Sequence, residues 1–384
     1  MTRELIFHLG DRKTGSTSIQ AALRGRIWEA EGAPKLGYAA RLNNGALASS
    51  MAGVDPVQES AKGFKLLAKR IATLGDDNEI GVVSSEHFEI VPPRNLKQAL
   101  EAHMPHYAET ARFVLYLRPH ADRILSSYAE RIKLGVFSGP LSDYLNAVVD
   151  DRRFHYLDRV RRWKNVFGDR LTVRPMIRSA LHQNCVVRDF LSIALKTENL
   201  RLREEPAANE SLTVRDLSIL TLFHREFEAL PKQNKSRQAI GRNIGLLCAS
   251  LPATGGGKPA YDAALCEKTI AAHLEDATAL DAQFFTGSPM LTALEATRGK
   301  VVDRVPSLLP EDNFSAAELR DLTVMARMVC RMAEIDLQGW VKFFTDSRLD
   351  EEDGPNPFNQ KTVPDRPSPE NRAAKRQKRL ASNG

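Results

Sequence analysis

Residues 6–20 read Ile6-Phe7-His8-Leu9-Gly10-Asp11-Arg12-Lys13-Thr14-Gly15-Ser16-Thr17-Ser18-Ile19-Gln20. Leu5 to Leu9 is an apolar run of strand length. A loop carrying Gly10, Lys13 and Gly15 follows it. A helical pattern then sets Ile19, Ala22, Leu23 and Ile27 on one side and predicts a helix from Ser16 to Glu29. Strand, glycine loop and helix N-terminus in that order make an anion site. Unpaired amides and the helix dipole face one point, and Gly15 lets the main chain come close to a ligand. Lys13 adds a full charge, and Thr14, Ser16, Thr17 and Ser18 add hydroxyl donors. The common ATP-binding version of this loop sets Lys directly after the second glycine, with Ser or Thr next. Here Ser16 follows Gly15, and the lysine comes before it.

A second stretch has the same character. Arg112-Phe113-Val114-Leu115-Tyr116-Leu117 reads as a buried strand and runs into Arg118-Pro119-His120-Ala121-Asp122-Arg123-Ile124-Leu125-Ser126. Pro119 suits a turn or a first helical residue because it has no N–H to lose. Arg118 would leave the strand end pointing at a ligand, with Ser126 about two turns into the next helix. A guanidinium fork and a hydroxyl together suit phosphate oxygens.

Taken together, the two stretches resemble the sulfotransferase family. Lys13-Thr14-Gly15-Ser16-Thr17-Ser18-Ile19-Gln20 is close to the family's Lys-Thr-Gly-Thr-Thr-Ser-Ile-Gln pattern, with Ser16 replacing one threonine. That pattern binds the 5′-phosphosulfate of PAPS (3′-phosphoadenosine 5′-phosphosulfate). Arg118 and Ser126 resemble the pair that clamps the 3′-phosphate, and the two motifs stand in the family's order. The resemblance implies an α/β chain of the P-loop-like sulfotransferase fold: a central parallel sheet with flanking helices and a mostly helical C-terminal half. It implies PAPS as co-substrate, PAP as product and no metal. Donor contacts would come from Arg12, Lys13, Thr14, Gly15, Ser16, Thr17, Ser18, Arg118 and Ser126, with Lys13 the catalytic cation at the leaving phosphate oxygen. Asp11 and Arg12 depart from the family's usual residues. An acid beside a phosphate loop is unfavourable unless Arg12 or Lys13 screens it.

An acceptor hydroxyl needs a general base. Ile80-Gly81-Val82-Val83 is a further predicted strand and ends in Ser84-Ser85-Glu86-His87-Phe88. Carbohydrate sulfotransferases use a Glu after a comparable strand, and many cytosolic small-molecule ones use a His. In an extended segment neighbouring side chains point to opposite faces, so one of the two would reach the acceptor. Glu86 is the first candidate and His87 the second. His8 is expected in the core or behind the site. Arg123, Arg131, Lys133 and Arg188 are further candidates for a phosphate or an anionic acceptor.

Elsewhere the pattern alternates strand and helix through the first half. Helices are predicted through Phe64–Leu74, over 95–105, and over Ala121–Leu134, Tyr156–Phe167 and Val186–Leu195, with a strand at Leu171–Val173. Leu36 to Val57, rich in Gly, Asn, Ala and Ser, reads as a surface excursion. From Asn199 the texture turns helical. Asn209-Glu210-Ser211-Leu212-Thr213 opens one segment with Ser211 or Thr213 as N-cap, and helical patterning returns over Ala316–Phe344. Three regions are expected: an α/β donor-binding core over 1–198, a helical extension on the acceptor side over 199–346, and a disordered charged tail over 347–384. That tail carries Lys375-Arg376-Gln377-Lys378-Arg379.

Composition sets wide bounds. The 384 residues are 42% hydrophobic and 27% charged, as in ordinary globular chains. The net charge of +6 suits an anionic small molecule as well as nucleic acid; nucleic acid is not the expected partner. The four cysteines lack zinc or redox spacing and are expected to be reduced thiols. No apolar stretch approaches the ~20 residues that span a bilayer. The first predicted strand leaves no room for a cleavable signal, so a cytoplasmic location is expected. The acceptor is expected to be a hydroxyl, of a carbohydrate or glycoconjugate. A catalytically silent nucleotide- or polymer-binding protein is the alternative function. A P-loop kinase is a more distant one, because the Gly-Lys-Ser/Thr step is missing.

Overall fold

The computed structural model describes residues 4–342 other than 39, 41–42, 75–78, 206–210, 230–233, 253–254, 337 and 341. The tail expected over 347–384, and Asn209 and Glu210 of the Asn209–Thr213 segment, lie outside the described residues. The chain begins β1 (Glu4–Leu9), α1 (Ser16–Gly25), β2 (Trp28–Glu29), β3 (Leu36–Tyr38), α2 (Gly45–Ser50), α3 (Pro56–Thr73) and β4 (Ile80–Ser85). A 3₁₀ turn over Glu86–Ile90 leads to α4 (Pro93–His103), α5 (Pro105–Ala108), β5 (Arg112–Leu117), α6 (His120–Lys133), α7 (Leu141–Asp150) and α8 (Leu157–Phe167). Then come β6 (Leu171–Pro175), α9 (Val186–Leu195) and β7 (Arg201–Leu202). Helices α10 (Val214–Glu226), α11 (Asn234–Ser250), α12 (Ala263–Phe284), α13 (Pro289–Glu295), α14 (Pro310–Asn313) and α15 (Ala316–Ile335) follow. Contacts divide the chain after Ile335. In the second unit the Asp336 carbonyl accepts from Trp340 N at 3.1 Å.

Five strands form a parallel sheet in the order β3-β4-β1-β5-β6. Parallel strands inside a sheet are covered on both faces, which is why the central strands β4, β1 and β5 are mostly apolar, whereas β6 alternates. Leu5, Phe7 and Leu9 join Val83, Phe113, Leu115 and Leu117 in one core. Ile6, Val82, Val114 and Tyr116 turn to the other face, against Ile19 and Leu23 of α1 and Phe190 and Leu191 of α9. The expected α/β class with flanking helices is thus the observed one.

The strand order positions the site. From β1 the chain moves out to β3, returns through β4, then crosses to β5 and β6 on the far side. The carboxyl ends of β4, β1 and β5 therefore stand side by side where the order reverses, the place where an open α/β sheet forms its crevice. The turns over 10–15 and 86–90 and the Arg118-Pro119 step all leave from there.

Three readings need correction. The first helix stops at Gly25, with Arg26 left-handed at φ 49° closing it, and Trp28–Glu29 pairs antiparallel with Arg201–Leu202 instead of continuing the helix. The 36–57 segment is not a surface excursion: Leu36–Tyr38 is the edge strand of the sheet, and Leu47, Ala48 and Met51 are buried. Its small residues serve close packing, since a Cβ on Gly37 would stand 2.9 Å from Leu74 Cδ1. The helical pattern expected over Ala316–Phe344 is interrupted: α15 ends at Ile335, residues 338–340 and 342 are helical again, and residues 343–344 lie outside the described residues.

Thr213 proves to be the cap of α10, in a reciprocal box with Asp216. Helix α12 meets the core through Asp276, which accepts from His120 Nε2 at 2.8 Å, Tyr156 N at 2.9 Å and Leu157 N at 3.0 Å. No described helix is long and apolar enough to cross a membrane.

Candidate active site

The turn after β1 is shaped by glycines. A Cβ on Gly10 would overlap Ser16 Oγ. Gly15, at φ 79°, is the left-handed N-cap of α1, and a Cβ there would stand 2.9 Å from Val186 Cγ1 of α9. Lys13 is left-handed too, at φ 66°, a conformation that costs a residue with a side chain on the order of 1 kcal/mol. Thr14 Oγ1 pins the turn by donating to the Asp11 carbonyl at 2.6 Å.

The first turn of α1 carries polar groups. No side chain caps the helix and no acid stands in that turn. Ser16 is 6% exposed, and its Oγ is buried without a hydrogen-bond partner among the described residues. An orphaned buried hydroxyl is costly, and here it adjoins the uncapped amides at the positive end of the helix dipole. Thr17 is exposed and Ser18 half-buried on the same turn.

Arg118 reaches this turn from β5. Its Nη1 donates to the Lys13 carbonyl at 3.0 Å and to Ser126 Oγ at 3.3 Å. Its Nε and Nη2 make no hydrogen bond among the described residues. Burial is the main influence lowering the Arg118 pKa below its usual range. The Arg118 carbonyl accepts from Tyr156 OH at 3.0 Å, which fixes the strand end. Lys13, Arg118 and Ser126 therefore meet at one place. Arg12 does not join them: its side chain is exposed, while its amide donates to Glu89 Oε2 at 3.3 Å and its carbonyl accepts from Arg123.

Charges that the motifs do not contain hold the turn in place. Asp11 is screened by neither Arg12 nor Lys13. It is buried and gripped by both terminal nitrogens of Arg159, at 2.7 and 2.5 Å. Burial pushes the Asp11 carboxyl up, and the Arg159 charge opposes that shift. Arg123 takes both oxygens of Glu89, at 2.8 and 3.1 Å, and lies 5.0 Å over the Phe154 ring. Lys13 Nζ ion-pairs with Glu130 at 2.6 Å, and Lys133 Nζ reaches the same Glu130 oxygen at 2.6 Å. Burial alone would raise the Glu130 carboxyl, but the two lysines outweigh it and hold it at about 2. Arg188 pairs with Glu205. Arg131 Nε is buried with no hydrogen-bond partner among the described residues.

The expected base candidates do not sit in an extended segment. Glu86 opens the 3₁₀ turn, because Ser85 Oγ accepts from His87 N at 3.0 Å and bends the chain as soon as β4 ends. Neighbours in such a turn diverge by about 120° rather than pointing to opposite faces. His87 Nδ1 lies 2.7 Å from Ser49 Oγ of α2. The Glu86 carboxylate is half-buried and makes no hydrogen bond or ion pair among the described residues. His8 is a core residue: its Nδ1 lies 2.8 Å from Ser84 Oγ, which also accepts from Gln20 Nε2 at 3.0 Å. Burial pushes the His8 pKa down to about 3.

Glu89, Glu130 and Arg159 carry no sequence signal of their own. Only contacts across the fold bring them to the turn. Among the described residues no group of three or more His, Cys, Asp or Glu could hold a metal ion.

No protein-family model matches the chain, and no curated protein matches it. Among solved structures the chain is similar to a sulfotransferase from Alicyclobacillus acidocaldarius. The TM-score is 0.45 and the identity 14%, over 76% of this chain and 99% of that one. The likeness is slight.

Proposed function

We propose that the protein is a sulfotransferase that moves a sulfuryl group from PAPS to an acceptor hydroxyl by in-line displacement. One observation carries this reading. The forked cation of Arg118, the hydroxyl of Ser126 and the Lys13 turn converge beside a helix N-terminus whose amides lack a side-chain cap and whose Ser16 hydroxyl has no partner among the described residues. Such a donor set fits a small molecule with two separate anionic groups. The α1 terminus with Ser16, Thr17 and Ser18 would take the phosphosulfate, and Arg118 with Ser126 would take the 3′-phosphate.

PAPS supplies an activated sulfuryl group, whose bond to a phosphate oxygen breaks as a bond to the acceptor oxygen forms. Lys13 and the turn amides stabilise the charge gathering on that phosphate oxygen, more in the transition state than before it. Glu86 takes the acceptor's proton, with His87 as the other candidate at the same strand end. Asp11, Arg159, Glu89 and Arg123 keep the turn in register with the base segment, which is how alignment contributes to rate. The helical region from α10 onward is assigned the acceptor side, with a carbohydrate or glycoconjugate hydroxyl as the acceptor class.

Titration with PAP tests the donor site directly. A screen of hydroxylated acceptors with labelled PAPS then tests transfer. Binding of PAP that is lost in Arg118→Ala supports the assignment, and absence of PAP binding by the wild-type protein overturns it. A protein that binds PAP and transfers to none of the acceptors would be the silent binding protein instead.

A further inference from the structure

Glu130 lies outside both phosphate motifs, yet it occupies the end of Lys13. It shares one face of α6 with Ser126 and Lys133, spaced by four and then three residues, so all three point the same way. The carboxylate lies 2.6 Å from each lysine, with Lys13 36% exposed and Glu130 25% exposed, so the contact is within reach of solvent and of a ligand. An anionic donor arriving at the turn therefore meets a lysine already committed to a carboxylate.

The third member is anchored from behind. The Lys133 carbonyl lies 2.9 Å from His224 Nε2 of α10. A Cβ on Gly241 of α11 would overlap that carbonyl, and one on Gly245 would stand 2.7 Å from Lys133 Cδ. Two helices of the C-terminal half thus hold the backbone and stem of Lys133 beside Glu130. When Lys13 leaves, Glu130 keeps a cation at hydrogen-bond distance. Stripping one partner from a partly buried carboxylate is costly when no other remains, and Lys133 removes most of that cost.

We propose that Glu130 is an exchangeable counter-anion that holds Lys13 until the donor's anionic group takes its place, with Lys133 retaining the carboxylate afterwards. The proposal rests on the donor reading above and adds to it a residue that sets donor affinity. It also gives α10 and α11 a part in donor binding, through the anchoring of Lys133.

Calorimetric titration of the full-length protein with PAP tests it without any knowledge of the acceptor. Glu130→Gln frees Lys13 and is expected to tighten PAP binding about tenfold, as removal of a competing charged hydrogen bond should. Glu311→Gln makes the same change in net charge at an exposed pair with Arg225 and is expected to leave the affinity unchanged. Lys133→Met is expected to weaken PAP binding several-fold in the wild-type background and to have less effect once Glu130 is Gln. That contrast keeps the test decisive if one single variant folds poorly. Unchanged affinity in Glu130→Gln, or equal tightening in Glu311→Gln, overturns the exchange while leaving the donor site standing. Failure of both wild-type and Glu130→Gln proteins to bind PAP overturns the donor site and the exchange with it.

Discussion

Arg118 Nη1 lies 3.0 Å from the backbone carbonyl oxygen of Lys13, residues separated by 105 positions in the chain. Neighbouring parallel strands bring them together: β5 pairs with β1, so the residue leaving the end of one faces the turn leaving the end of the other. The contact commits one nitrogen of Arg118 to the turn and leaves Nε and Nη2 without a hydrogen bond among the described residues. Arg118 therefore both shapes the turn and presents charge.

Arg118→Ala should weaken PAP binding by about 10- to 100-fold, the range expected for losing a hydrogen bond made by a charged group. Arg118→Lys should recover only part of this, because an ammonium cannot hold Lys13 and a phosphate with one planar fork. Calorimetry measures both. Wild-type affinity in Arg118→Ala would remove the residue from the donor site.

How much of this site could be read from the residues depends on distance along the chain. The Lys13 turn and the Arg118–Ser126 pair are legible because each packs its chemistry into a few consecutive residues between a strand and a helix. Arg159, 148 positions from Asp11, and Glu130, 117 from Lys13, are not legible. Among many charged surface residues nothing local marks them, and only helix packing brings them to the turn. Segment 36–57 misled for another reason. Gly37 and Gly45 suit a loop as well as they suit close packing, and a lone sequence does not separate the two. The 3₁₀ turn over Glu86–Ile90 escaped because its cause is a single hydroxyl, Ser85 Oγ, at the strand end.

Asp11→Ala should cost stability more than activity of any one group. Asp11 is 1% exposed and bidentate with Arg159. Deleting one member of a buried pair strands the other, at about 3–5 kcal/mol. Urea unfolding should show that loss, and Asp11→Ala combined with Arg159→Met should be more stable than Asp11→Ala alone. A double variant whose losses simply add would mean that the pair does not act as a unit.

His8 predicts a stability loss in mild acid. In the folded protein burial delays its protonation until about pH 3, against 6.5 for an unperturbed ring. Between those values the unfolded chain binds a proton that the folded one does not. Stability must therefore fall as pH drops from 6.5 toward 3, by up to about 1.4 kcal/mol per pH unit from this residue. Below pH 3 both states carry the proton, and the contribution levels off. His8→Gln keeps a polar partner for Ser84 but cannot titrate, so unfolding free energies measured across that window should show a shallower slope than wild type. Equal slopes would mean that the ring protonates in the fold.

Glu86 and His87 can be separated by their surroundings. The His87 ring is oriented by Ser49 Oγ at 2.7 Å, whereas the Glu86 carboxylate has no partner among the described residues. A base needs a free acceptor atom facing the substrate, and Glu86 has both oxygens available. Glu86→Gln should lower turnover by ~10²–10⁴-fold while leaving PAP affinity within about twofold, because neither oxygen hydrogen-bonds to the turn over 10–15 among the described residues. His87→Asn should have a smaller effect, and Ser49→Ala should resemble it, since both change only how that ring is held. Turnover with the first acceptor found by the labelled-PAPS screen is the measurement. If His87→Asn and Ser49→Ala abolish transfer while Glu86→Gln spares it, the proton goes to the imidazole, and Ser49 is the residue that orients it.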